Sequence, residues 1–249
     1  MTSIVLRYLV VMRELVQTAE SFTREFKFDY STIIWKEDGH FFRSTLPERI
    51  LLRKSVDIDN LPISEPIPIH LIRGLWHNGL TEVSNTPSDF FVKVPALLCY
   101  DTLPLGEITA AEADICEILK RNPHKNICVY YGCTREGEYI VGLCFERYRR
   151  NLYHEMESGG PLDRRAVIDG ITEGVTFLHS LGLIHNDLDP GNIMLEDDGT
   201  PVIIDFDSCR RDGEPMGIKK GTPGWSAGWT KKPSSIARKA NDFYSLKLL

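Results

Sequence analysis

The sequence predicts an α+β chain in two lobes, the first rich in strands and the second helical. Strand-like runs separated by turn residues dominate up to about residue 147, with one helical stretch among them. From residue 148 onward the apolar positions take up helical spacing. At 249 residues the chain fits one large domain or two small lobes and can bury a sizeable core. A cleft between such lobes is the natural place for a ligand.

Residues 1–20 read as an amphipathic helix packed on the domain. Arg7 and Arg13 cut this apolar run into pieces too short for a secretory core or a membrane span. A mitochondrial presequence is the alternative that the pattern leaves open. Residues 28–43 read as two strands meeting at Asp38-Gly39, a strong hairpin signal. Residues 49–58, RILLRKSVDI, read as a further strand, and the proline-rich 61–68 as a connector. Strand-like pieces follow at 69–73, 80–83 and 90–94. A helix is expected at about 109–121, with Thr109 as N-cap and Asn122-Pro123 as its stop. NICVYYGC and EYIVGLCF form a second strand pair around the turn TREGE.

Pro161-Leu162-Asp163 opens a helix with Val167, Ile168, Ile171, Val175 and Leu178 on one face, ended by Gly182. Gly170 and Gly174 each cost that helix about 1 kcal/mol against alanine. They either permit a close backbone approach or weaken the helix. The expected divisions are an extension at 1–60, packed on or part of the first lobe, a strand-rich lobe at 61–147 and a helical lobe at 148–249.

The composition is that of an ordinary globular protein, 42% hydrophobic and 26% charged. A net charge of −6 offers no general attraction to nucleic acid or to an anionic membrane, so neither is an expected partner. Any polyanionic substrate must be held by a local cluster. The cysteines at 99, 116, 128, 133, 144 and 209 form no C-x-x-C pair. They read as reduced thiols, which points to a cytoplasmic or nuclear location.

The chemistry concentrates in HNDLDPGNIML at 185–195 and in VIIDFD at 202–207. A hairpin turning at Asp198-Gly199 would bring Asn192 and Asp205 together. An amide oxygen and a carboxylate are hard ligands suited to Mg²⁺. Asp187, shortly before Asn192, could accept a hydroxyl proton or orient the hydroxyl. His185 has no partner His or Cys nearby and reads as a packed, hydrogen-bonded histidine.

His185, Asp187 and Asn192, followed by Asp205 and Phe206, resemble the loop H-x-D-x-x-x-x-N and the D-F-G of protein-kinase-like phosphotransferases. The resemblance implies a two-lobed protein-kinase-like fold with ATP and Mg²⁺ as cofactors. It implies Asp187 as catalytic base, with Asn192 and Asp205 as metal ligands. Lys93, in FFVKVP, resembles the strand lysine that positions the α- and β-phosphates; the alternative is an edge lysine facing water. Its expected partner is Glu112, which shares a helix face with Ile115, Cys116 and Leu119, whereas Glu117 should point away. Glu112 could instead close a capping box with Thr109.

LCFERY at 143–148 resembles the strand running into the hinge, with Phe145 as gatekeeper and the backbone of Glu146 to Tyr148 meeting adenine. GTPGWSAGW resembles the end of the activation segment through Gly221, Thr222, Trp225 and Ala227. NDFYSLKLL resembles the start of the central helix, with Asp242 as the buried acid that holds the catalytic loop. The resemblance covers roughly residues 68–249, and HNDLDPGN, IIDFD and GTPGW together resemble fungal kinase-like proteins.

The departures are specific. IRGLWHNGLTEV stands where a G-x-G-x-x-G loop is expected and holds only Gly74 and Gly79. Asn186 replaces the arginine before the base, which argues against switching by loop phosphorylation. Asp189 replaces the lysine that in Ser/Thr kinases contacts the γ-phosphate. Asp207 replaces the glycine of D-F-G, where it would help hold a second metal and hinder flipping of Phe206. Gly228-Trp229 stand in place of Pro-Glu, and the helical lobe is expected to be minimal or truncated near the central helix.

The function expected is an atypical, fungal-type Ser/Thr protein kinase that moves the γ-phosphate of ATP to a hydroxyl of a protein substrate. The alternatives are a small-molecule phosphotransferase of the aminoglycoside or choline kinase type, and a nucleotide-binding pseudokinase. The short hinge-to-loop spacing and the GTPGW segment count against the first of these. Substrate identity and oligomeric state stay open.

Overall fold

A computed structural model of the chain describes residues 13–50, 56–62, 65–159, 162–230 and 234–249. They belong to two compact units, one running to Arg73 with Pro95–Gly106, the other comprising Gly74–Val94 and Glu107–Leu249.

The first unit is built on an antiparallel meander of β1 (Glu14–Phe22), β2 (Phe28–Glu37) and β3 (His40–Leu46). Asp38 and Gly39 both have positive φ at the β2–β3 turn, as a two-residue hairpin of this twist requires. β2 is the central strand and is buried on both faces. Ile33 and Trp35 pack with Phe42 and Leu61, while Ile34 packs with Phe41, Ile67, Ile72 and Leu97. The Arg13 guanidinium lies 4.4 Å from the Trp35 ring and donates to the carbonyls of Ile58 and Leu61.

Two expectations fail in this unit. Residues 14–20 form a strand, not the end of a helix, because their pairing with β2 overrides a local pattern that fits either state. Within the strand expected at 69–73 only Arg73 is extended, since α1 (Ile69–Ile72) is a single helical turn opened by Pro68. Residues 1–12 and 51–55 lie outside the described residues, and with them most of the expected first helix and half of the strand at 49–58. The end of that stretch is a short 3₁₀ turn at Ile58–Asn60.

The second unit begins with β4 (Phe90–Lys93), which pairs with the central strand of a sheet ordered β4-β6-β5. α2 (Leu105–Arg121), whose first two residues belong to the first unit, precedes β5 (Tyr130–Glu136) and β6 (Tyr139–Glu146). α2 starts at Leu105, so Thr109 sits inside the helix and is not its N-cap. The start is set by backbone packing that no local signal encodes. A Cβ on Gly106 would lie 2.5 Å from the His70 carbonyl oxygen and 2.6 Å from that of Arg73.

The rest of the unit is helical with short ribbons: β7 (Arg150–Asn151), α3 (Leu152–Ser158), α4 (Arg164–Ser180), β8 (Leu183–Ile184), β9 (Ile193–Leu195), β10 (Pro201–Ile203), β11 (Arg210–Arg211) and α5 (Lys239–Leu246). β9 pairs with both β10 and β7, and β8 pairs with β11. Asp163 caps α4 by accepting from the Ala166 amide at 3.0 Å. Of the face of α4 read from the sequence, Val167, Ile171, Val175 and Leu178 are buried, whereas Ile168 is exposed. The buried ones share a core with Leu183, Ile193, Ile203 and Phe206. Among the described residues no helix is long and apolar enough to cross a membrane.

The helix glycines are there for close approach. A Cβ on Gly170 would lie 2.6 Å from Pro201 Cγ, and one on Gly174 would lie 2.9 Å from Ile203 Cδ1. At these two positions the α4 backbone therefore rests directly on the side chains of Pro201 and Ile203 in β10. Alanine at 170 gains about 1 kcal/mol of helix propensity but overpacks a ring held in the β10 backbone, which costs about 1–3 kcal/mol. Gly170→Ala should therefore destabilise the protein by about 1 kcal/mol in urea unfolding; a stabilised variant would show that β10 can retreat.

Candidate active site

The site is assembled within the second unit. Strand β4 carries Lys93 and helix α2 carries Glu112, one turn before the buried Ile115 and Cys116. The Lys93 ammonium meets both Glu112 oxygens, at 2.7 and 2.8 Å, and Asp205 Oδ1 at 2.7 Å. Glu112 Oε1 also accepts from the Phe206 amide at 3.2 Å. Its carboxylate thus faces Lys93 and the D-F-D turn, and the capping-box alternative falls with the N-cap. Burial disfavours the Lys93 charge, but Glu112, Asp205 and Asp207 outweigh it and raise its pKa. Burial likewise pushes Asp205 up, while the charge and hydrogen bond of Lys93, helped by Lys219, hold it below the ordinary carboxylate range.

The β9–β10 ribbon sets the spacing of the remaining groups. Ile193 pairs with Ile203, and the Ile204 amide donates to the Asn192 carbonyl at 3.0 Å. Asn192 and Asp205 therefore flank the open end of one ribbon. Asp205 adopts φ +64, a conformation that Asp tolerates better than most residues. The Asn192 amide nitrogen donates to the Asp187 carbonyl at 2.9 Å and to Asp189 Oδ2 at 3.2 Å, which orients its Oδ1 as the acceptor.

Around Asp187 the loop is tied on every side. Asp242 is fully buried and accepts from His179 Nε2 at 2.8 Å, the His185 amide at 3.0 Å and the Asn186 amide at 2.8 Å. His185 Nε2 contacts the Ile204 carbonyl at 3.0 Å and Nδ1 accepts from the Asp187 amide at 3.2 Å. A carbonyl can only accept, so these contacts fix the neutral Nε2–H tautomer. The ring packs edge-on against Phe206. His185 is a packing and hydrogen-bonding residue.

Asn186 has φ +66 and is 1% exposed. Its amide nitrogen donates to the carbonyls of Ile184 and Ser208, and its Oδ1 accepts from Asn241 at 2.9 Å. It closes the loop where the family pattern has an arginine.

Asp187 Oδ1 accepts from the Thr222 amide at 2.7 Å and from Ser226 Oγ at 3.3 Å. Burial raises its pKa, and the neighbouring Asp189 adds to the rise, against the pull of the hydrogen bonds from Thr222. Asp189, which sequence comparison leaves unexplained, caps the 3₁₀ turn Pro190–Asn192 by accepting from the Gly191 amide at 2.6 Å. Its Oδ2 accepts from Thr222 Oγ1 at 3.0 Å as well as from Asn192. Gly221, at φ +79, makes this docking possible, since a Cβ there would lie 2.4 Å from the Asn186 carbonyl oxygen.

A cavity of about 400 Å³ opens beside Lys93. Phe145, Glu146 and Tyr148 line it, joined by Phe91, Cys128 and Met194, which the motifs do not mark. Phe145 is buried against Tyr130, and the Tyr148 hydroxyl accepts from the Val129 amide at 3.1 Å.

Residues 74–83 do not line this cavity. They pair with the β5–β6 hairpin through Gly74 with Ile140, Trp76 with Glu138 and Thr81 with Cys133. Glu117 was expected to point outward. It is buried and accepts from the Thr81 amide at 2.7 Å, fastening the same stretch to α2.

The acids fit a hard divalent cation. Oxygens of Glu112, Asp205 and Asp207 lie within 4.8 Å of one another. Lys93 and Lys219 balance this charge, with Lys219 bound to Asp207. Asp205 and Asn192 would hold the ion, which in phosphoryl transfer neutralises phosphate charge.

Comparison with known families matches the protein kinase domain profile over residues 105–248. The chain is 29% identical over 146 residues to the serine/threonine-protein kinase/endoribonuclease IRE1 of Hypocrea jecorina, covering 51% of this chain and 12% of that protein. It is 29% identical over 151 residues to mitogen-activated protein kinase kinase kinase 3 of Homo sapiens, covering 56% and 24%. It is 36% identical over 119 residues to the serine/threonine-protein kinase Tao of Drosophila melanogaster, covering 44% and 11%. The chain thus spans less than a quarter of the length of each of these relatives. With more than half of its length under one profile, and a strand-rich region followed by a helical one, the chain belongs to the protein kinase domain family.

Proposed function

We propose that the protein is an ATP- and Mg²⁺-dependent protein kinase that transfers the γ-phosphate to a Ser or Thr hydroxyl. The observation that carries this reading is the convergence of Lys93, Glu112 and Asp205 at the mouth of one apolar cavity, with Asp187 held on the adjoining loop. In this reading Lys93, oriented by Glu112, positions the α- and β-phosphates. Asn192 and Asp205 hold Mg²⁺. The adenine enters between Phe91 and Met194, against the backbone of Glu146 to Tyr148, with Phe145 at the rear. Asp187 orients and deprotonates the acceptor hydroxyl. A protein acceptor is supported by the kinase names of the relatives and by the segment docked on Asp187 through Thr222 and Ser226.

Nucleotide binding tests this first. At tenfold excess over Kd, ATP·Mg²⁺ should stabilise the protein by about 1.4 kcal/mol, a rise in Tm of about 3–6 °C. The rise should shrink without Mg²⁺ and disappear in Lys93→Met. No shift at millimolar ATP·Mg²⁺ would leave a binding module that has lost its nucleotide. Given binding, radiolabelled transfer to a protein mixture against a panel of amino-alcohols separates a protein kinase from a small-molecule phosphotransferase.

A further inference from the structure

We propose that Lys219 supplies the γ-phosphate contact that an acid at position 189 cannot make. This rests on the ATP-dependent reading above. Phosphoryl transfer spreads charge over the equatorial oxygens of the moving group, and cations placed there carry much of the catalysis. Lys93 is committed to Glu112 and Asp205. Asp189 is turned away from that role, because its oxygens accept from the Gly191 amide, Asn192 Nδ2 and Thr222 Oγ1. The loop position that would offer a cation holds the loop together instead.

Lys219 lies on the segment that docks against Asp187. Three residues after it, the Thr222 amide donates to the Asp187 carboxylate at 2.7 Å. Its own ammonium is bound to Asp207, two residues beyond Asp205, and Asp207 is 3.7 Å from the Lys93 ammonium. The lysine is therefore fixed between the proposed base and the metal-binding acid by its backbone at one end and its charge at the other. Its side chain is about one-third exposed, so it is not locked in the core. A flexible four-carbon stem lets it leave Asp207 for a phosphate once a divalent ion takes over the acids.

Calorimetric affinities for ATP·Mg²⁺ and ADP·Mg²⁺ decide the matter, because only ATP carries the γ-phosphate. Lys219→Ala should weaken ATP binding about 10-fold or more, the size of a charge-assisted hydrogen bond, and leave ADP within about twofold. Lys219→Arg should keep most of the preference for ATP. Transfer in Lys219→Ala should fall about 10²–10³-fold. If Lys219 served only to neutralise Asp207, the double variant K219A/D207N would recover ATP affinity; persistence of the ATP-specific loss supports the phosphate role. Equal losses for ATP and ADP, or recovery in the double variant, would overturn it and leave the kinase reading intact. Wild-type protein that binds neither nucleotide would overturn both.

Discussion

Asp187→Asn should lose phosphoryl transfer by about 10²–10⁴-fold, the usual worth of a positioned base, while ATP·Mg²⁺ affinity changes little. The exchange keeps the side-chain shape and an oxygen for Thr222 and Ser226, so the loss would report the missing base. The same substitution should act on stability in the opposite direction. Burial raises the Asp187 pKa in the fold, so its ionised form is disfavoured there relative to the unfolded chain. That cost is present above the folded pKa and disappears as the pH falls below the ordinary carboxylate range. The asparagine variant should therefore unfold at a higher temperature at neutral pH and match the wild type in acid. The same shift moves the acidic limb of the kcat/KM profile above the range of an exposed aspartate. A variant that retains turnover would remove Asp187 from the chemistry. One that loses both turnover and stability would make it a structural residue.

Asp242→Ala should cost about 3–5 kcal/mol, the largest stability effect expected in the second unit. The carboxylate has no exposed surface and accepts three hydrogen bonds, from His179, the His185 amide and the Asn186 amide. Removing it orphans two backbone donors and an imidazole at once, each worth about 1–3 kcal/mol when left buried without a partner. Asp242→Asn should still be clearly destabilising, since an amide must turn an N–H towards one of these donors. Urea unfolding gives the size of the loss, and hydrogen exchange at residues 183–187 locates it. A loss below about 1 kcal/mol in the alanine variant would mean that the loop is held by its own packing.

Turns and motif spacings were legible in the sequence because they are local. Asp38-Gly39 and Asp198-Gly199 mark hairpins, and the interval from Asn192 to Asp205 is one ribbon in the structure. What was not legible depends on partners distant in the chain. The strand at Glu14–Phe22 exists through its register with β2. The start of α2 at Leu105 is decided by the close backbone packing at Gly106. Glu117 carries a charge that suggests solvent, yet it is paid for by Thr81, which no helical pattern could identify. At the site, the family resemblance called for a lysine and a glutamate, strand and helix context pointed to Lys93 and Glu112, and the two side chains meet. Ser226, Lys219 and the contacts of Thr222 were hidden for a different reason. Their contacts come from where a loop returns, and loops carry no period that fixes what they face.

The amide at position 186 has a consequence for the history of this chain. Its buried site, with φ +66, leaves room for a short side chain whose donors and acceptor are all matched by Ile184, Ser208 and Asn241. An arginine there would have to bury a guanidinium among groups arranged for an amide, and would leave the Asn241 amide nitrogen with the Ile236 carbonyl and without the acceptor it has in Asn186. The residue common in the wider family is thus closed to this lineage by any single exchange. Regaining it would require the groups that meet Asn186, Asn241 among them, to be rearranged. Positions 186 and 241 should be inherited together, so that each is neutral to alter only when the other has already moved.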